Sequence, residues 1–150
     1  MSGVGRVIIL NGTSSSGKTT LARELQLQSS EVYLLCALDA FWDMTPRQVP
    51  AGSVNFPYMK LAIARSVRAL AETGHNVIVD IVFCGQKTFN EFSSELAGIH
   101  LTFVKVECPL SVLEARESAR GDRAIGLAKS QLGSVHQGVV YDVTIDTDEN

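Results

Sequence analysis

Residues 12–19 read Gly12-Thr13-Ser14-Ser15-Ser16-Gly17-Lys18-Thr19, which fits the pattern G-x-x-x-x-G-K-[ST]. The apolar run Val7–Leu10 precedes this segment, and a helix-like segment, Thr19–Leu27, follows it. A strand, a glycine-rich loop and a helix in this order are the setting in which the pattern forms a phosphate-binding loop, or P-loop. The alternative is a Gly/Ser-rich turn that contains a lysine by chance, and the flanking strand and helix argue against it.

This loop suits a nucleoside triphosphate. Gly12 and Gly17 let the backbone wrap closely, so that successive N–H groups can point at anionic oxygens, and the N-terminus of the helix adds partial positive charge. Lys18 is predicted to reach the β- and γ-phosphates, and the Thr19 hydroxyl to bind Mg²⁺. The predicted nucleotide-binding residues of the loop are Gly12, Thr13, Ser14, Ser15, Ser16, Gly17, Lys18, Thr19 and Thr20.

The bulk composition is that of an ordinary globular protein. The chain has 150 residues, of which 45% are apolar and 19% charged, and its net charge is −3. This length predicts a single domain over residues 1–150. The acidic balance and the lack of any Lys/Arg run argue against nucleic acid or an anionic membrane as the main partner, and no apolar run approaches the length of a membrane span.

The three cysteines, Cys36, Cys84 and Cys108, are widely spaced and form no C-x-x-C pair. A zinc site is therefore not predicted, and each thiol is expected to act as a small buried hydrophobe at the end of an apolar run. With no leader pattern at the N-terminus, a reducing, cytoplasmic setting is expected.

Apolar runs with the character of strands alternate with helix-like segments. The runs are Arg6–Leu10, Val32–Leu38, Asn76–Phe83, Leu101–Glu107 and Val139–Ile145. The helical candidates are Thr19–Leu27, Pro57–Thr73, Lys87–Ala97, Pro109–Ala119 and Asp122–Leu132. Such alternation predicts a mostly parallel sheet with right-handed crossovers, in which ligands bind at the carboxyl ends of the strands.

Two aspartates end apolar runs and would therefore lie at that edge. Asp39 follows Val32–Leu38 and could orient and deprotonate an acceptor hydroxyl; it could equally cap the short helix Ala40–Met44. Asp80 ends the run that begins at Asn76, which resembles a strand whose carboxylate holds Mg²⁺. An ordinary strand-end aspartate is the alternative for Asp80, and the P-loop favours the metal role.

Three arginines surround a predicted helix end. Arg116 and Arg120 are one helical turn apart, Gly121 breaks the helix, and Arg123 follows. Arginines near a hinge suit a lid, here residues 116–130, whose guanidinium groups neutralise charge on a transferred phosphoryl group. The alternative is a solvated helix face paired with Glu114 and Glu117.

A long irregular stretch, Thr45–Phe56, is expected to be functional. The aromatic residues around it could form the wall of an acceptor pocket or pack in the core; they are Phe41, Trp42, Phe56 and Tyr58. Of the histidines, His75 and His100 are expected to be structural, and His136 lies in a segment that could approach the substrate without a catalytic role.

These segments together resemble the chloramphenicol phosphotransferase family of P-loop kinases. The resemblance covers most of the chain and is sharpest in the segments 114–123, Glu-Ala-Arg-Glu-Ser-Ala-Arg-Gly-Asp-Arg, and 135–143, Val-His-Gln-Gly-Val-Val-Tyr-Asp-Val. It implies an ATP-dependent O-phosphotransferase, with Asp39 at the position of the catalytic base. The family has a second aspartate at the end of the third apolar run, where this chain has Ile81. It also continues into a further helix after the last strand. A partner subunit, such as a second copy of this chain, or a truncated sequence could each explain the difference.

The sequence thus predicts a three-layer α/β P-loop kinase fold with a five-stranded parallel sheet in the order 2-3-1-4-5. We expect transfer of the γ-phosphoryl group of ATP to a hydroxyl of a small molecule, with chloramphenicol or a similar antibiotic as acceptor. Catalytic roles are predicted for Lys18, Asp39, Arg120 and Arg123, contact with nucleotide for Arg116 and Arg120, and Mg²⁺ binding for Thr19 and Asp80. The alternatives are a kinase for another hydroxylated metabolite and a nucleotide-dependent switch without an acceptor.

Overall fold

The computed structural model describes residues 3–50 and 52–148. The strands are β1 (Val7–Asn11), β2 (Tyr33–Ala37), β3 (Asn76–Ile81), β4 (Leu101–Glu107) and β5 (Val143–Asp146). The helices are α1 (Lys18–Gln28), α2 (Leu38–Trp42), α3 (Phe56–Glu72), α4 (Gln86–Glu95), α5 (Leu110–Arg120) and α6 (Leu127–Leu132). None of the helices within these residues has the length and apolar character needed to span a bilayer.

The strands form one parallel sheet in the order β2-β3-β1-β4-β5, which confirms the predicted order. β1 lies at the centre, and its Leu10 is in register with Asp80 of β3. On the other side of β3, Ala37 is in register with the same Asp80. The loops that follow β1, β2 and β3 therefore leave the sheet at one edge, beside one another.

Helices cover both faces of the sheet, as the buried strands require. On one face, α3 and α4 pack on alternate strand residues, among them Val7, Ile9 and Val79. On the opposite face, α1 packs on the intervening residues, among them Leu10 and Ile78. Successive residues of each strand thus point to opposite faces of the sheet, and helices cover both faces. The result is the predicted three-layer architecture.

Two predicted boundaries were wrong by four residues or more, and the others lie within two residues of the observed ones. The last strand begins at Val143 rather than Val139, because pairing with β4 starts only at Val104 with Val143, and Tyr141 before it instead contacts Asn11. The helix expected from Asp122 begins at Leu127, because Gly126 immediately before it has a φ of 90°. Residues of high helix propensity cannot extend a helix through a residue in the left-handed conformation.

Candidate active site

The P-loop connects β1 to α1 and approaches the end of β4 closely. A side chain at position 12 would place its Cβ 2.5 Å from the carbonyl oxygen of Val106, so glycine is required there. Gly17 has a φ of 94°, and Ser15 a φ of 66° that is uncommon for a residue with a side chain. The loop is therefore a tightly bent backbone segment held against the sheet.

The interior of this loop offers polar groups to a ligand. Among the described residues, the hydroxyls of Ser15 and Ser16 are buried and have no hydrogen-bond partner. Lys18 is buried, and its Nζ donates to the carbonyl oxygens of Gly12 (3.0 Å) and Thr13 (2.8 Å). Buried polar groups without partners are costly, so the loop fits a phosphate chain, which could accept from both hydroxyls and from the ammonium.

Four charged side chains surround the Lys18 ammonium. Burial lowers the pKa of Lys18 to about 8; Asp80 and Asp39 oppose this shift, and Arg120 and Arg123 reinforce it. The two aspartates and the two arginines thus act on the same ammonium, at the point where the phosphates would lie.

Thr19 and Asp80 meet on the α1 face of the sheet. The Thr19 hydroxyl donates to Oδ2 of Asp80 over 2.6 Å, and Asp80 is only 7% exposed. No group of three or more His, Cys, Asp or Glu residues in the described ranges could hold a metal. This oxygen pair fits Mg²⁺, which proteins commonly bind through one or two carboxylates together with waters and substrate phosphates.

Asp39 is the second residue of α2, at the carboxyl edge of the sheet beside the P-loop. Its Oδ2 accepts a hydrogen bond from Nη2 of Arg123 over 2.6 Å. The alternative of a cap for a following helix does not hold, because Asp39 lies within α2 rather than before it. Arg120 pairs with Asp122 through Nε at 3.1 Å, and this hydrogen bond lowers the pKa of Asp122.

Arg116 lies within α5, before the break at Gly121, and contacts the P-loop rather than solvent. It donates to the carbonyl oxygens of Thr147 (2.6 Å) and Ser15 (3.4 Å). The Thr147 hydroxyl in turn donates to the carbonyl oxygen of Ser16. The guanidinium is thus part of the wall behind the P-loop, which differs from the predicted lid position, and Thr147 is a contact that no sequence pattern indicated.

Glu117 does not fit the alternative of a solvated helix face, since it is 1% exposed. Its carboxylate accepts from the backbone N–H groups of Gly126 (2.6 Å) and Ala128 (2.8 Å) at the start of α6. It lies four residues after the buried Leu113, on the same helical face. That spacing was the signal in the sequence that Glu117 is buried. The structure shows that it connects residues 121–132 to α5.

Asn11, directly before the P-loop, joins three segments. Its Nδ2 donates to the carbonyl oxygen of Val135 and to the Tyr141 hydroxyl, both at 2.8 Å, and its Oδ1 accepts from the N–H of Phe83 at 3.0 Å. His136 Nδ1 lies 2.6 Å from the same hydroxyl, and burial lowers the pKa of His136 to about 4. The histidine thus belongs to a neutral hydrogen-bond network that holds the loops after β1 and β3.

A cavity of about 1390 Å³ runs along this edge of the sheet. The P-loop, together with Arg116 and Thr147, forms one part of its lining. The other part comes from α2, α3 and the segment after β3, namely Asp39, Trp42, Phe56, Lys60 and Cys84. Trp42 and Phe56 stack with a centroid distance of 5.2 Å across the ends of the long loop. Phe41 packs on the core instead, and Tyr58 is exposed.

Two further residues, Cys84 and Lys60, were not predicted to line the cavity. Cys84 is exposed, contrary to the expectation for all three thiols, whereas Cys36 and Cys108 are buried. Lys60 was missed, although it lies three and four residues before the buried Ile63 and Ala64. A lysine on the apolar face of a predicted helix was the signal for it.

Comparisons with known proteins identify the family of this chain. A family model described as chloramphenicol phosphotransferase-like protein matches residues 5–150. Candidate O-phosphotransferases from two strains of Mycobacterium tuberculosis are each 28% identical over 169 aligned positions, which cover 95% of this chain and 75% of the relative.

Two solved kinases have the same fold. An APS kinase from Mycobacterium tuberculosis, in complex with AMPPNP and APS, superposes with a TM-score of 0.75 at 18% identity over 99% of this chain and 91% of that chain. A gluconokinase from Sinorhizobium meliloti superposes with a TM-score of 0.65 at 19% identity over 97% and 84%. The predicted P-loop kinase fold is therefore confirmed.

Proposed function

The chain belongs to the chloramphenicol phosphotransferase-like family and is a P-loop kinase, and we propose that it transfers the γ-phosphoryl group of ATP to a hydroxyl of a small molecule. The observation that carries this proposal is the single cavity lined by Lys18, Asp39, Asp80 and Arg123. It combines a phosphate cradle, a metal-binding carboxylate, a candidate base and a cation from the proposed lid.

The P-loop binds the triphosphate. Its backbone N–H groups and the Ser15 and Ser16 hydroxyls donate to phosphate oxygens, and Lys18 exchanges its contacts with Gly12 and Thr13 for the β- and γ-phosphates. Because a bound polyanion favours the charged form of a neighbouring amine, nucleotide raises the pKa of Lys18 from its lowered value. Arg116 acts as a positioning residue through Ser15 and Thr147.

Thr19 and Asp80 would hold Mg²⁺, with Asp80 directly or through a water. The ion supplies positive charge that neutralises the phosphates. Ile81 contributes no second carboxylate, so Asp80 is the proposed carboxylate of this site.

Asp39 acts as the base. The acceptor oxygen forms a bond to the γ-phosphorus, the bond from that phosphorus to the β,γ-bridging oxygen breaks, and the acceptor proton passes to the Asp39 carboxylate. Products are the phosphate monoester and ADP. For this step Arg123 must release Asp39, and its guanidinium is then free to neutralise charge on the transferred group.

Residues 116–130 include the proposed lid, whose moving part follows the break at Gly121. Arg120 and Arg123 project from either side of this break, and Glu117 anchors the segment to α5. Closure would exclude water and bring both arginines to the phosphates.

Chloramphenicol is the acceptor that the family name suggests, and a different hydroxylated metabolite is the alternative. The test is ATP-dependent gain of one phosphoryl group on a panel of hydroxylated small molecules, followed by mass spectrometry. Asp39→Asn serves as the inactive variant and Asp43→Asn, an exposed aspartate next to α2, as its matched control. Tight Mg·ATP binding without any phosphorylated product would instead favour a nucleotide-dependent switch.

A further inference from the structure

Lys60 is a buried cation that lines the same cavity as Asp39. It is 7% exposed, and its Nζ donates to the carbonyl oxygen of Val82 over 2.6 Å. The same Nζ lies 5.0 Å from the ring centroid of Phe56. Within residues 3–50 and 52–148, no carboxylate lies at salt-bridge distance from it.

These contacts do not use all the hydrogen-bond donors of the Lys60 ammonium. An ammonium has three N–H donors; one is directed to Val82, and one side of the group faces the Phe56 ring. Burying a cation without a counter-ion is costly. Burial accordingly lowers the pKa of Lys60, and the neighbouring Cys84 opposes this shift only in part. An anion in the cavity would remove much of this cost, because the attraction between opposite charges is strong where water is excluded.

The surroundings of Lys60 restrict the shape of such a ligand. Trp42 and Phe56 stack beside it with an interplanar angle of 17°, and both rings line the cavity and add apolar surface to its wall. Asp39 lines the same cavity and repels anions, so the anionic group of a ligand belongs at the Lys60 end and its hydroxyl at the Asp39 end.

We propose that the acceptor of this kinase carries an anionic group, such as a carboxylate, that binds Lys60 while its apolar body packs on Trp42 and Phe56. This inference rests on the proposed function, since it names the class of acceptor. Lys60 is a specificity-determining residue in this scheme, and a neutral hydroxyl compound such as chloramphenicol binds more weakly than an anionic one of similar size.

The test compares binding of acid and amide pairs that differ only in charge: mandelate with mandelamide, and 3-phenyllactate with 3-phenyllactamide. Binding to the protein with Mg·AMPPNP is followed by ligand-observed NMR for wild type, Lys60→Met and Lys60→Gln. We expect wild type to prefer the acids by about 10- to 100-fold, as for a hydrogen bond to a charged group, and both variants to lose that preference. Lys60→Gln retains a donor for Val82, which separates loss of charge from loss of the structural bond.

Lys87→Met is the matched control, because Lys87 is an exposed lysine on α4 and its side chain is 89% exposed. It should keep the wild-type preference. Equal binding of acids and amides by wild type, no binding of either acid, or a preference that survives in both Lys60 variants would each overturn the inference. Phosphoryl transfer is measured separately. If the acids bind through Lys60 but neither they nor any compound of the wider panel of hydroxylated molecules is phosphorylated, the proposed function is contradicted and the anion site is not.

Discussion

Nη2 of Arg123 lies 2.6 Å from Oδ2 of Asp39, although 84 residues separate the two in sequence. The pair joins the segment after α5 to the start of α2 across the mouth of the cavity. The Asp39 side chain is 64% exposed and that of Arg123 27%, so the ion pair is accessible to water and contributes little to stability. The pair matters for the proposed reaction, because Arg123, a proposed lid cation, is hydrogen-bonded to the proposed base Asp39. The two must separate before either can act on the substrate.

Replacement of Asp39 by Asn tests the base directly. Asparagine keeps the size of the side chain but cannot take the acceptor proton, so we expect turnover to fall by roughly 10²- to 10⁴-fold. Nucleotide affinity should hardly change, because the P-loop contacts are intact. The measurement is initial rate together with nucleotide titration, and a turnover number within a factor of two of wild type would show that another group takes the proton.

Arg123→Gln removes the lid cation and frees Asp39 at the same time. If the guanidinium stabilises charge on the transferred group, the rate falls by about 10³-fold, as when an arginine finger is lost. If its only role were to restrain Asp39, the rate would rise or stay unchanged. Single-turnover rates at saturating ATP distinguish these results, and the free energy of unfolding should change by less than about 1 kcal/mol.

Lys18 makes stability depend on pH. Its folded-state pKa of about 8 lies below the unfolded value of 10.5, so between these pH values the unfolded chain binds more protons and the free energy of unfolding rises with pH. Below pH 8 the full cost of burying the ammonium is present; it amounts to about 3 kcal/mol. The difference between wild-type and Lys18→Met unfolding curves should therefore grow in favour of wild type across this window.

That difference isolates Lys18, because Cys36 and Tyr141, whose pKa values burial raises to about 11 and 12, titrate in both proteins. A difference that does not vary with pH would contradict the buried, shifted ammonium. Lys18→Met should also abolish phosphoryl transfer.

Gly12 should not tolerate even alanine. A Cβ there would lie 2.5 Å from the Val106 carbonyl oxygen and 2.8 Å from Oγ of Ser16, so the P-loop must shift away from β4. We expect a loss of about 1–3 kcal/mol in stability together with loss of nucleotide binding. Gly133→Ala is the control, because Gly133 has a φ of −75° and open space around it. Wild-type affinity in Gly12→Ala would disprove the close approach.

Glu117 should control the order of the proposed lid. Glu117→Leu leaves the N–H groups of Gly126 and Ala128 without their acceptor, at about 1–3 kcal/mol each. Hydrogen exchange should accelerate in residues 124–132 more than in the sheet. Glu114→Gln, an exposed change on the same helix, should leave exchange as in wild type. Uniform acceleration throughout the chain would show a global effect and no specific anchoring of the lid.

Several parts of the molecule could be predicted from sequence because the signals are local. The P-loop pattern, the continuous apolar runs and the alternation of helices and strands indicated the fold, and the order of the sheet was predicted as that of a P-loop kinase. Asp39 and Asp80 could be placed at one edge because parallel strands bring their carboxyl ends together. The start of α6 was wrong because the left-handed Gly126 interrupts a segment of favourable composition, and the start of β5 was wrong because pairing with β4 begins only at Val143.

The architecture, the phosphate loop and the kinase family could therefore be inferred from residue patterns alone, since these patterns involve residues close to one another in the chain. The partner of each polar side chain became known only from the three-dimensional arrangement. Arg123 meets Asp39, Arg116 supports the P-loop through Thr147, and Lys60 enters the cavity from α3. Contacts between residues distant in sequence depend on how the layers pack and where each helix ends, and no local pattern records that.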